Sequence, residues 1–385
     1  MKTDAAYWIA LSQLKDWGNA RINSLIKQFH HDNKIGIEEF FSLGENDWNK
    51  IYGLEDKQIR SLTEAKLAIP GYAFLAEDMI SQGFEFIPLT SPEYSRTLKN
   101  NLKSTYAPPL LYTKGNKQLM MEKTVAIVGS REASEIALKF TDTVARTVSR
   151  EYKVVVSGFA KGVDRQALDS SIACTGQSII VLPQGILTFS SGFKQYYGQI
   201  TRGDILVLST FFPKSPWKTE LAMARNTTIY GLADEIYVAE SSEKGGTWNG
   251  VIDGLKKGRK IYVRSPASSE INANTKLIKM GAAAVNEQGI LLPGQVYAEP
   301  VADEKNEGVK EENIFPEGPE DNIRTILATK PLSIPEIVEK LASLWPEVFI
   351  KNALKRMPEI ESFIIKGRVH YRLKAKQAEQ GNLFL

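Results

Sequence analysis

Three glycine-rich turns in the middle of the chain combine the residue types that bind phosphate. The turns are Val128-Gly129-Ser130-Arg131, Ser157-Gly158-Phe159-Ala160-Lys161-Gly162 and Lys244-Gly245-Gly246-Thr247. Each follows an apolar run typical of a buried strand, and glycine lets backbone N–H groups approach an anion closely. Two turns contain a cation, Arg131 or Lys161, and the third begins with Lys244. The pattern predicts an anion site, with phosphate the best candidate, at one edge of a sheet.

The first turn matches neither of two common nucleotide-binding fingerprints. Gly129-Ser130-Arg131-Glu132-Ala133-Ser134 lacks the second and third glycines of the dinucleotide-binding motif, and no Gly-Lys-Ser/Thr follows it as in a Walker loop. Ser134 is instead predicted to cap the next helix. An ordinary cofactor-dependent dehydrogenase and a P-loop NTPase are therefore disfavoured.

Two further positions each allow two interpretations. Asp164 stands where a helix is predicted to begin, so it either caps that helix or hydrogen-bonds a sugar hydroxyl. Arg225-Asn226 is either a structural clamp between helices or, beside an anion site, a contact to a nucleic-acid backbone. Both pairs of alternatives stay open at this level.

The histidines offer no catalytic centre. His30, His31 and His370 all lie outside the glycine-rich region. A Ser-His-Asp set and the usual cysteine and histidine metal sites therefore cannot be assembled there. We predict no catalytic residue, no metal and no cofactor, and a binding protein is favoured over an enzyme.

Length and composition restrict the class of protein. A chain of 385 residues is too long for one ordinary core, so two or three domains are expected. No apolar stretch approaches the ~20 residues that span a bilayer, and the amino terminus does not resemble a signal peptide. The single cysteine, Cys174, fits a reducing cytoplasm. Because the net charge is only +3, nucleic-acid binding would need local basic clusters.

The turns belong to a region where apolar strand-like runs alternate with helical ones. This alternation, with strands apolar throughout, predicts an α/β fold around a parallel sheet covered on both faces. The predicted strands are Thr124–Val128, Lys153–Ser157, Ser178–Leu182, Ile205–Leu208, Glu235–Ala239 and Lys260–Val263. With its connector, we assign residues 76–296 to an extended Rossmann-like core that binds nucleic-acid or nucleotide phosphate.

Residues 1–75 are predicted to form a small all-α domain. Helical periodicity is interrupted at Trp17-Gly18-Asn19 and at Tyr52-Gly53-Leu54, which suggests a helix-hairpin-helix or SAM-like fold. Turn amides of such hairpins can bind DNA phosphates, but the first turn has one glycine rather than two, so a scaffolding or interaction role is favoured.

Three segments follow the core. Residues 297–320 are acidic and contain proline, as expected of a flexible linker. Residues 321–373 are predicted to form a winged helix from three short helices and a hairpin, and it contacts either duplex DNA or protein. Residues 374–385 form a tail in which Gln380, Leu383 and Phe384 resemble the peptide that docks into the bacterial sliding clamp. The alternative is that Leu383 and Phe384 pack back onto the winged helix.

The motifs together resemble the DNA-processing protein A family (DprA, also called Smf). The resemblance rests on Val125–Arg131, Val156–Asp164, Arg225-Asn226, Asn274–Ala282 and the connector Ala107–Gly115, in this order and spacing. It covers nearly the whole chain and implies a cytoplasmic, homodimeric protein that binds single-stranded DNA. Such proteins protect incoming DNA and help to load a RecA-type recombinase during DNA recombination and natural transformation (competence).

The predicted DNA- and phosphate-binding set combines the three turns with the motif residues. It comprises Gly129, Ser130, Arg131, Ser157, Gly158, Lys161, Gly162, Asp164, Arg225, Asn226, Lys244, Gly245, Gly246, Thr247 and Asn274.

Several positions depart from the family pattern. Ala222-Met223-Ala224-Arg225-Asn226-Thr227 stands where the family usually has Phe-Pro-Arg-Arg-Asn-Arg, and Leu168 replaces a histidine. Lys244-Gly245-Gly246-Thr247 replaces a Ser-Gly-Ser-Leu turn and is similar to that of nucleotide-binding phosphoribohydrolases. The alternative function is therefore a nucleotide sensor or nucleoside-phosphate hydrolase, although the following helix offers Asp253 and no glutamate.

Overall fold

The computed structural model describes residues 4–294, 319–341, 350–351, 353–354, 357–365 and 368–374. Within them the chain divides into two compact units. One contains the described residues of Met1–Ser24 and Glu64–Lys305, and the other contains those of Leu25–Thr63 and Asn306–Leu385.

The amino-terminal part is helical, as its periodicity predicts. Its helices are α1 (Ala5–Ser12), α2 (Asn19–Ile26), α3 (Ile37–Ser42), α4 (Glu45–Tyr52) and α5 (Asp56–Ser81). Both predicted breaks are present, and Gly53 ends α4 in the left-handed conformation at φ 62°. In residues 25–63 the aromatic side chains form a buried cluster, with the Phe29 and Phe40 rings stacked 4.6 Å apart and Trp48 5.9 Å from Phe40.

A mostly parallel sheet dominates the larger unit. Its strands are β1 (Glu85–Pro88), β2 (Leu110–Gly115), β3 (Thr124–Val128), β4 (Val154–Ser157), β5 (Ser178–Val181), β6 (Ile205–Ser209), β7 (Glu235–Val238), β8 (Ile261–Arg264) and β9 (Ala283–Val285). Their order across the sheet is β1-β2-β6-β5-β4-β3-β7-β8-β9. All neighbours from β6 to β9 pair in parallel, whereas β1 with β2 and β2 with β6 pair antiparallel.

The six predicted strands are confirmed to within a residue or two at each end. Sequence analysis missed β9, which has only three residues. It also treated the connector as a mixture of strand and loop, whereas β1 and β2 extend the sheet beyond β6. Short strands at a sheet edge lack the long apolar run that marks a central strand.

Helices cover both faces of this sheet. They are α6 (Arg96–Tyr106), α7 (Glu135–Arg150), α8 (Val163–Ala173), α9 (Ser190–Gln195), α10 (Tyr197–Arg202), α11 (Thr219–Leu232), α12 (Gly246–Lys256) and α13 (Asn274–Lys279). Alternate residues of β3 enter different cores: Val125 and Ile127 pack with α7 and α8, while Ala126 and Val128 pack with α6, α11 and α12. This double burial explains why the strands are apolar throughout.

The carboxyl-terminal part of the smaller unit is mixed α and β. Its elements are α14 (Pro319–Leu327), β10 (Leu332–Ser333), α15 (Ile334–Leu341), β11 (Ile360–Ile365) and β12 (Arg368–Leu373). The strands form an antiparallel sheet in the order β10-β12-β11, and buried residues such as Ile323, Ile337 and Ile360 form a separate core. The predicted acidic linker lies outside the described residues except at its end, where α14 begins at Pro319.

Candidate phosphate-binding site

The order of the strands creates a crevice at the carboxyl edge of the sheet. The chain passes from β3 through β4 and β5 to β6 on one side, and then returns to place β7 on the other side of β3. Ligands of open α/β sheets bind in the crevice at such a reversal of direction. A cavity of about 320 Å³ lies there, and we call it the cradle. Ten predicted residues line it: Gly129, Ser130, Arg131, Asp164, Arg225, Asn226, Lys244, Gly245, Gly246 and Thr247.

The first turn is held rigidly between β7 and the start of α7. The Ser130 N–H donates to the Glu240 carbonyl at 3.0 Å, and the Ser130 hydroxyl accepts the Glu132 N–H at 3.1 Å. Gly129 is required by packing, since a Cβ there would lie 2.6 Å from Cγ2 of Val163. Ser134 caps α7 by accepting the Ala137 N–H at 3.3 Å, which confirms the predicted cap.

The third turn places the amino end of α12 at the cradle. Gly245 is the N-cap, at φ 90°, and it provides no side-chain cap. The first N–H groups of a helix lack partners within it and favour negative charge. The Thr247 hydroxyl donates to the Gly129 carbonyl at 3.1 Å and ties this helix to the first turn. The side chain of Asn226 packs against Gly246, where a Cβ would overlap its amide. The arrangement presents uncapped backbone donors to a small anion.

The second turn packs directly against the first. Gly162 lies at φ 77°, and a Cβ on it would overlap the Ser130 and Arg131 carbonyls. The first N–H of α8, from Val163, donates to the Ser130 carbonyl at 3.2 Å. The first turn therefore occupies the first N–H of α8.

Asp164 closes the loop before α8 and does not cap that helix. The N-cap of α8 is Gly162, with no side-chain cap, and Asp164 lies in the first helical turn. Its carboxylate accepts backbone hydrogen bonds from Gly158 and Ala160. Burial raises the pKa of Asp164, against the opposing effect of the nearby Arg225. The proposed cap is thus wrong, because the loop returns its own N–H groups to the carboxylate.

Arg225 reaches from α11 to the end of β5. It is 3% exposed, its NH1 donates to the Val181 carbonyl at 3.1 Å, and its NH2 lies 3.6 Å from Oδ2 of Asp164. The guanidinium fills the space that a side chain at Gly158 would occupy. Burial lowers the pKa of Arg225, although an arginine still remains a cation at neutral pH. Its Nε has no hydrogen-bond partner among the described residues. The side chain therefore joins three elements and lines the cradle, while its Nε is buried.

The remaining cations of the predicted site are accessible. Arg131, Lys161 and Lys244 are all exposed, and Arg131 and Lys244 line the cradle. Exposed cations attract an anion by their charge. Backbone N–H donors at fixed positions favour an anion whose oxygens match their spacing.

A second cavity of about 380 Å³ adjoins the cradle, and we call it the side cavity. Arg131, Ala160 and Arg225 line both cavities, and the predicted residues Gly158 and Lys161 line the side cavity alone. Its other walls are largely apolar: Phe159, Leu182, Pro183, Phe189 and Trp217. Sequence analysis did not identify this set, although Pro216-Trp217-Lys218 directly before α11 is a visible aromatic and basic signal.

Three predicted residues line neither cavity. The Ser157 hydroxyl donates to the Ile127 carbonyl at 3.2 Å inside the sheet, and Gly162 packs on the first turn. Asn274 is fully buried: its Oδ1 accepts the Ser241 N–H at 3.0 Å, and its Nδ2 donates to the carbonyls of Ala239 and Arg264. These residues support the turns from inside the fold.

Sequence analysis missed several cradle residues. They are Val128, Ala160, Thr219, Ala222, Met223, Ile229, Tyr230, Ser241 and Ser242. Tyr230 donates its hydroxyl to the Thr247 carbonyl at 3.3 Å, and burial raises its pKa. Val128 and Ala160 belong to turns that the sequence did single out. The residues from Thr219 to Tyr230 come from α11, which only tertiary structure brings over the strand ends.

The predicted clamp-binding residues Gln380, Leu383 and Phe384 lie outside the described residues, as do Lys355, Arg356 and Lys366 of the predicted winged helix. Among the residues that the structure describes, no helix is both long enough and apolar enough to cross a membrane.

Comparison with known proteins connects the site to a family. The sequence model of the DNA recombination-mediator protein A family matches residues 85–292, which contain all three turns. The chain is 26% identical to Protein Smf of Synechocystis over 312 residues, 79% of this chain and 76% of that protein. It is 30% identical to the DNA processing protein DprA of Bacillus subtilis over 210 residues, 53% of this chain and 69% of that protein.

A solved structure is also similar. The X-ray structure of DNA processing protein A from Streptococcus pneumoniae superposes with a TM-score of 0.60 and 26% identity. The match covers 75% of this chain and 96% of that chain, so the similarity extends over most of both folds.

Proposed function

This chain belongs to the DNA recombination-mediator protein A family, and we propose that it binds single-stranded DNA across the cradle and acts as a recombination mediator. The observation that carries this proposal is the meeting of three glycine-rich turns at the crevice between β3 and β7. Their backbone donors and the exposed Arg131 and Lys244 surround one cavity.

The geometry favours the sugar-phosphate backbone as the ligand. The uncapped amino end of α12 and the cations offer hydrogen-bond donors and positive charge, which phosphate oxygens accept without regard to base sequence. The cradle continues into the side cavity through Arg131 and Arg225, so more than one nucleotide of an extended strand has room to lie along this edge. Binding through phosphates predicts an affinity that tolerates sequence and falls steeply with salt.

Fluorescence anisotropy with labelled single-stranded and duplex oligonucleotides, titrated with salt, tests the proposal. We expect tighter binding of the single strand and a linear loss of log affinity with log salt concentration. Equal or tighter binding of the duplex, or no binding of the single strand at low salt, would contradict it.

Arg131→Ala is the informative variant in the same assay. It should weaken single-strand binding by about 1–3 kcal/mol, because a charge-assisted hydrogen bond to phosphate is lost, and reduce the salt slope by about one. Arg150→Ala is the matched control, since it removes the same charge at the far end of α7. Equal affinities of these two variants would sink the assignment of the cradle.

A nucleotide sensor or nucleoside-phosphate hydrolase is not favoured. The family match covers the turns on which that alternative depends, and α12 contains Asp253 but no glutamate. A thermal-shift screen with nucleotides separates the two functions, because a specific small ligand raises the melting temperature by mass action.

The finer features that the resemblance implies are part of the same proposal. The bound strand is passed to a RecA-type recombinase, and the chain acts as a homodimer in the cytoplasm. Residues 1–75 form an all-α domain, and residues 321–373 form a winged helix. Light scattering of the purified chain tests the dimer. Recombinase filament assembly on coated single strands, measured with and without the protein, tests the loading step.

Gln380, Leu383 and Phe384 are proposed to dock into a sliding clamp, with the glutamine at the rim and the apolar pair in a pocket. A peptide covering residues 374–385 should bind purified clamp, and replacement of Leu383 and Phe384 by alanine should abolish that binding. Equal binding of both peptides would refute this part of the proposal.

A further inference from the structure

Trp217 is a large apolar side chain left in solvent beside the proposed phosphate path. Its exposed fraction is 50%, and it lines the side cavity together with Lys161. About half of this side chain is open, so it presents an apolar, aromatic surface at the rim of a cavity that also contains cations.

The backbone on both sides of Trp217 is anchored. The Gly185 N–H donates to the Ser215 carbonyl at 2.9 Å, and the Leu187 N–H donates to the Pro213 carbonyl at 3.0 Å. Gly185 has no room for a side chain because the Phe212 and Pro213 carbonyls face it. The loop is thus fastened to the segment after β5 up to Ser215. Helix α11 begins at Thr219, two residues after the indole.

The other aromatic residues of the side cavity are already engaged. The guanidinium carbon of Arg165 lies 3.9 Å from the Phe159 ring centroid. The edge-on Phe189 ring lies 4.8 Å from Phe159, and Phe189 itself is 5% exposed. Among the aromatic residues that line this cavity in the described chain, Trp217 is therefore the one with substantial open surface.

We propose that Trp217 is a stacking platform for one nucleobase of the bound single strand, with the phosphate of the same strand at Arg131 in the cradle. The inference rests on the proposed function and adds a base contact to it. Arg131 lines both cavities, so a strand that places a phosphate there carries its base into the side cavity or past its rim. Lys214 and Lys218, both exposed, flank the indole in sequence and add positive charge near the adjoining phosphates.

A nucleobase matches this surface in its chemistry. Its two faces are apolar, matching the indole and the apolar wall formed by Leu182 and Pro183, and every base has such a face. The contact therefore increases affinity for single strands without sequence preference. It also discriminates against duplexes, whose bases are stacked on each other and cannot reach the indole.

Two probes of equal length and charge test the inference with the full-length chain. One is labelled oligothymidylate, and the other is the same sugar-phosphate chain with abasic sites in place of the bases. Trp217→Ala should weaken binding of oligothymidylate about 5- to 100-fold, as the loss of one stacked base implies. It should leave binding of the abasic chain and the salt slope unchanged. Trp217→Phe should restore most of the affinity, since a smaller ring still stacks.

Tyr152→Ala is the matched control, because Tyr152 is 91% exposed but precedes β4 at the opposite edge of the sheet. Its affinities should equal those of the wild type. Oligothymidylate binding by Trp217→Ala at the wild-type level would overturn the inference, and so would an equal loss for both probes. If the wild type binds neither probe, the proposed function itself fails. If it binds both equally, the cradle stands and the stacking platform is refuted.

Discussion

Two clusters at the carboxyl edge of the large sheet combine an arginine, a carboxylate and an asparagine, yet they differ in how far these groups satisfy one another. The closed cluster consists of Arg264 at the end of β8, Glu270, and Asn274 at the start of α13. The open cluster consists of Arg225, Asp164 and Asn226 at the cradle.

In the closed cluster the donors and acceptors are matched. Arg264 is fully buried, its Nε donates to the Ala239 carbonyl at 3.0 Å, and its two terminal nitrogens donate to Glu270 at 2.9 and 2.5 Å. The hydrogen bonds from Arg264 are the main reason why the pKa of Glu270 is lowered. Asn274 uses both of its polar atoms. Each side-chain nitrogen of Arg264 thus has a partner, and the cluster supports the loop after β7.

In the open cluster the same groups are only partly matched. Arg225 and Asp164 are 3.6 Å apart, Nε of Arg225 has no partner among the described residues, and burial raises the pKa of Asp164. A buried ion pair is strong when it is bidentate and further hydrogen-bonded, and weak otherwise. The difference teaches that unsatisfied polar groups, more than residue type, distinguish the candidate site from the structural cluster.

The largest loss of stability is expected when the carboxylate of the closed cluster is replaced by an amide. Glu270→Gln should lower the free energy of unfolding by about 3–5 kcal/mol, because fully buried Arg264 loses its charge partner. Urea unfolding followed by near-UV circular dichroism measures it. Glu243→Gln is the control, since Glu243 pairs with Lys276 at 2.5 Å on an exposed surface and should cost at most about 1 kcal/mol.

The effect of Glu270→Gln should depend on pH with a defined sign. The folded pKa of Glu270 is depressed below its usual 4.5, so its contribution is present in full above that pH. It is lost as the pH falls from 4.5 through the folded pKa, and wild type and variant should converge there. A difference that grew on acidification would contradict the closed arrangement.

The next effect concerns binding at the cradle. Gly246→Ala places a methyl group against the Asn226 amide and should disturb the amino end of α12. We expect about a 3- to 10-fold loss of single-strand affinity in the anisotropy assay, as for one weakened hydrogen bond to phosphate. Gly71→Ala, at a helical glycine of α5 with open space around it, should leave affinity unchanged. Unaltered binding by Gly246→Ala would remove α12 from the site.

A smaller loss of stability is expected when the hydrogen bond between the third and first turns is removed. Thr247→Val keeps the shape but deletes the 3.1 Å hydrogen bond from the threonine hydroxyl to the Gly129 carbonyl. The free energy of unfolding should fall by about 1 kcal/mol. Thr247→Ser preserves the hydroxyl and should recover most of this loss in the same urea experiment. A Ser variant as unstable as the Val variant would show that the methyl group, not the hydrogen bond, matters.

The smallest effect is expected for the amide replacement in the open cluster. Asp164→Asn should change the free energy of unfolding by less than about 1 kcal/mol at pH 7, because its contact with Arg225 is a single one of 3.6 Å and the cost of burying the charge offsets part of that attraction. A raised folded pKa means that the stabilising neutral form is fully populated below the usual 3.8 and lost as pH rises through the folded value. The free energy of unfolding of the variant should therefore increase relative to that of the wild type as pH rises. A loss of more than about 3 kcal/mol in the free energy of unfolding would show that Arg225 depends on its carboxylate as strongly as Arg264 does.

Local sequence was sufficient for much of the fold. Strands such as Thr124–Val128 were predictable because burial on both faces requires an uninterrupted apolar run. The break at Gly53 was predictable because a left-handed residue ends a helix. The site was predictable only in outline: ten of the predicted residues meet in the cradle, but Ser157 and Asn274 face inward, and Trp217 was missed.

The sequence by itself determined the central strands, the three turns and the cation in each turn, since these depend on neighbouring residues along the chain. Tertiary structure decided which turns meet, because strand order places β7 beside β3 although more than a hundred residues separate them. It also decided that Arg225 is buried while Arg131 remains accessible. An arginine's role depends on its distance from carbonyls and carboxylates elsewhere in the chain, and no local pattern encodes that distance.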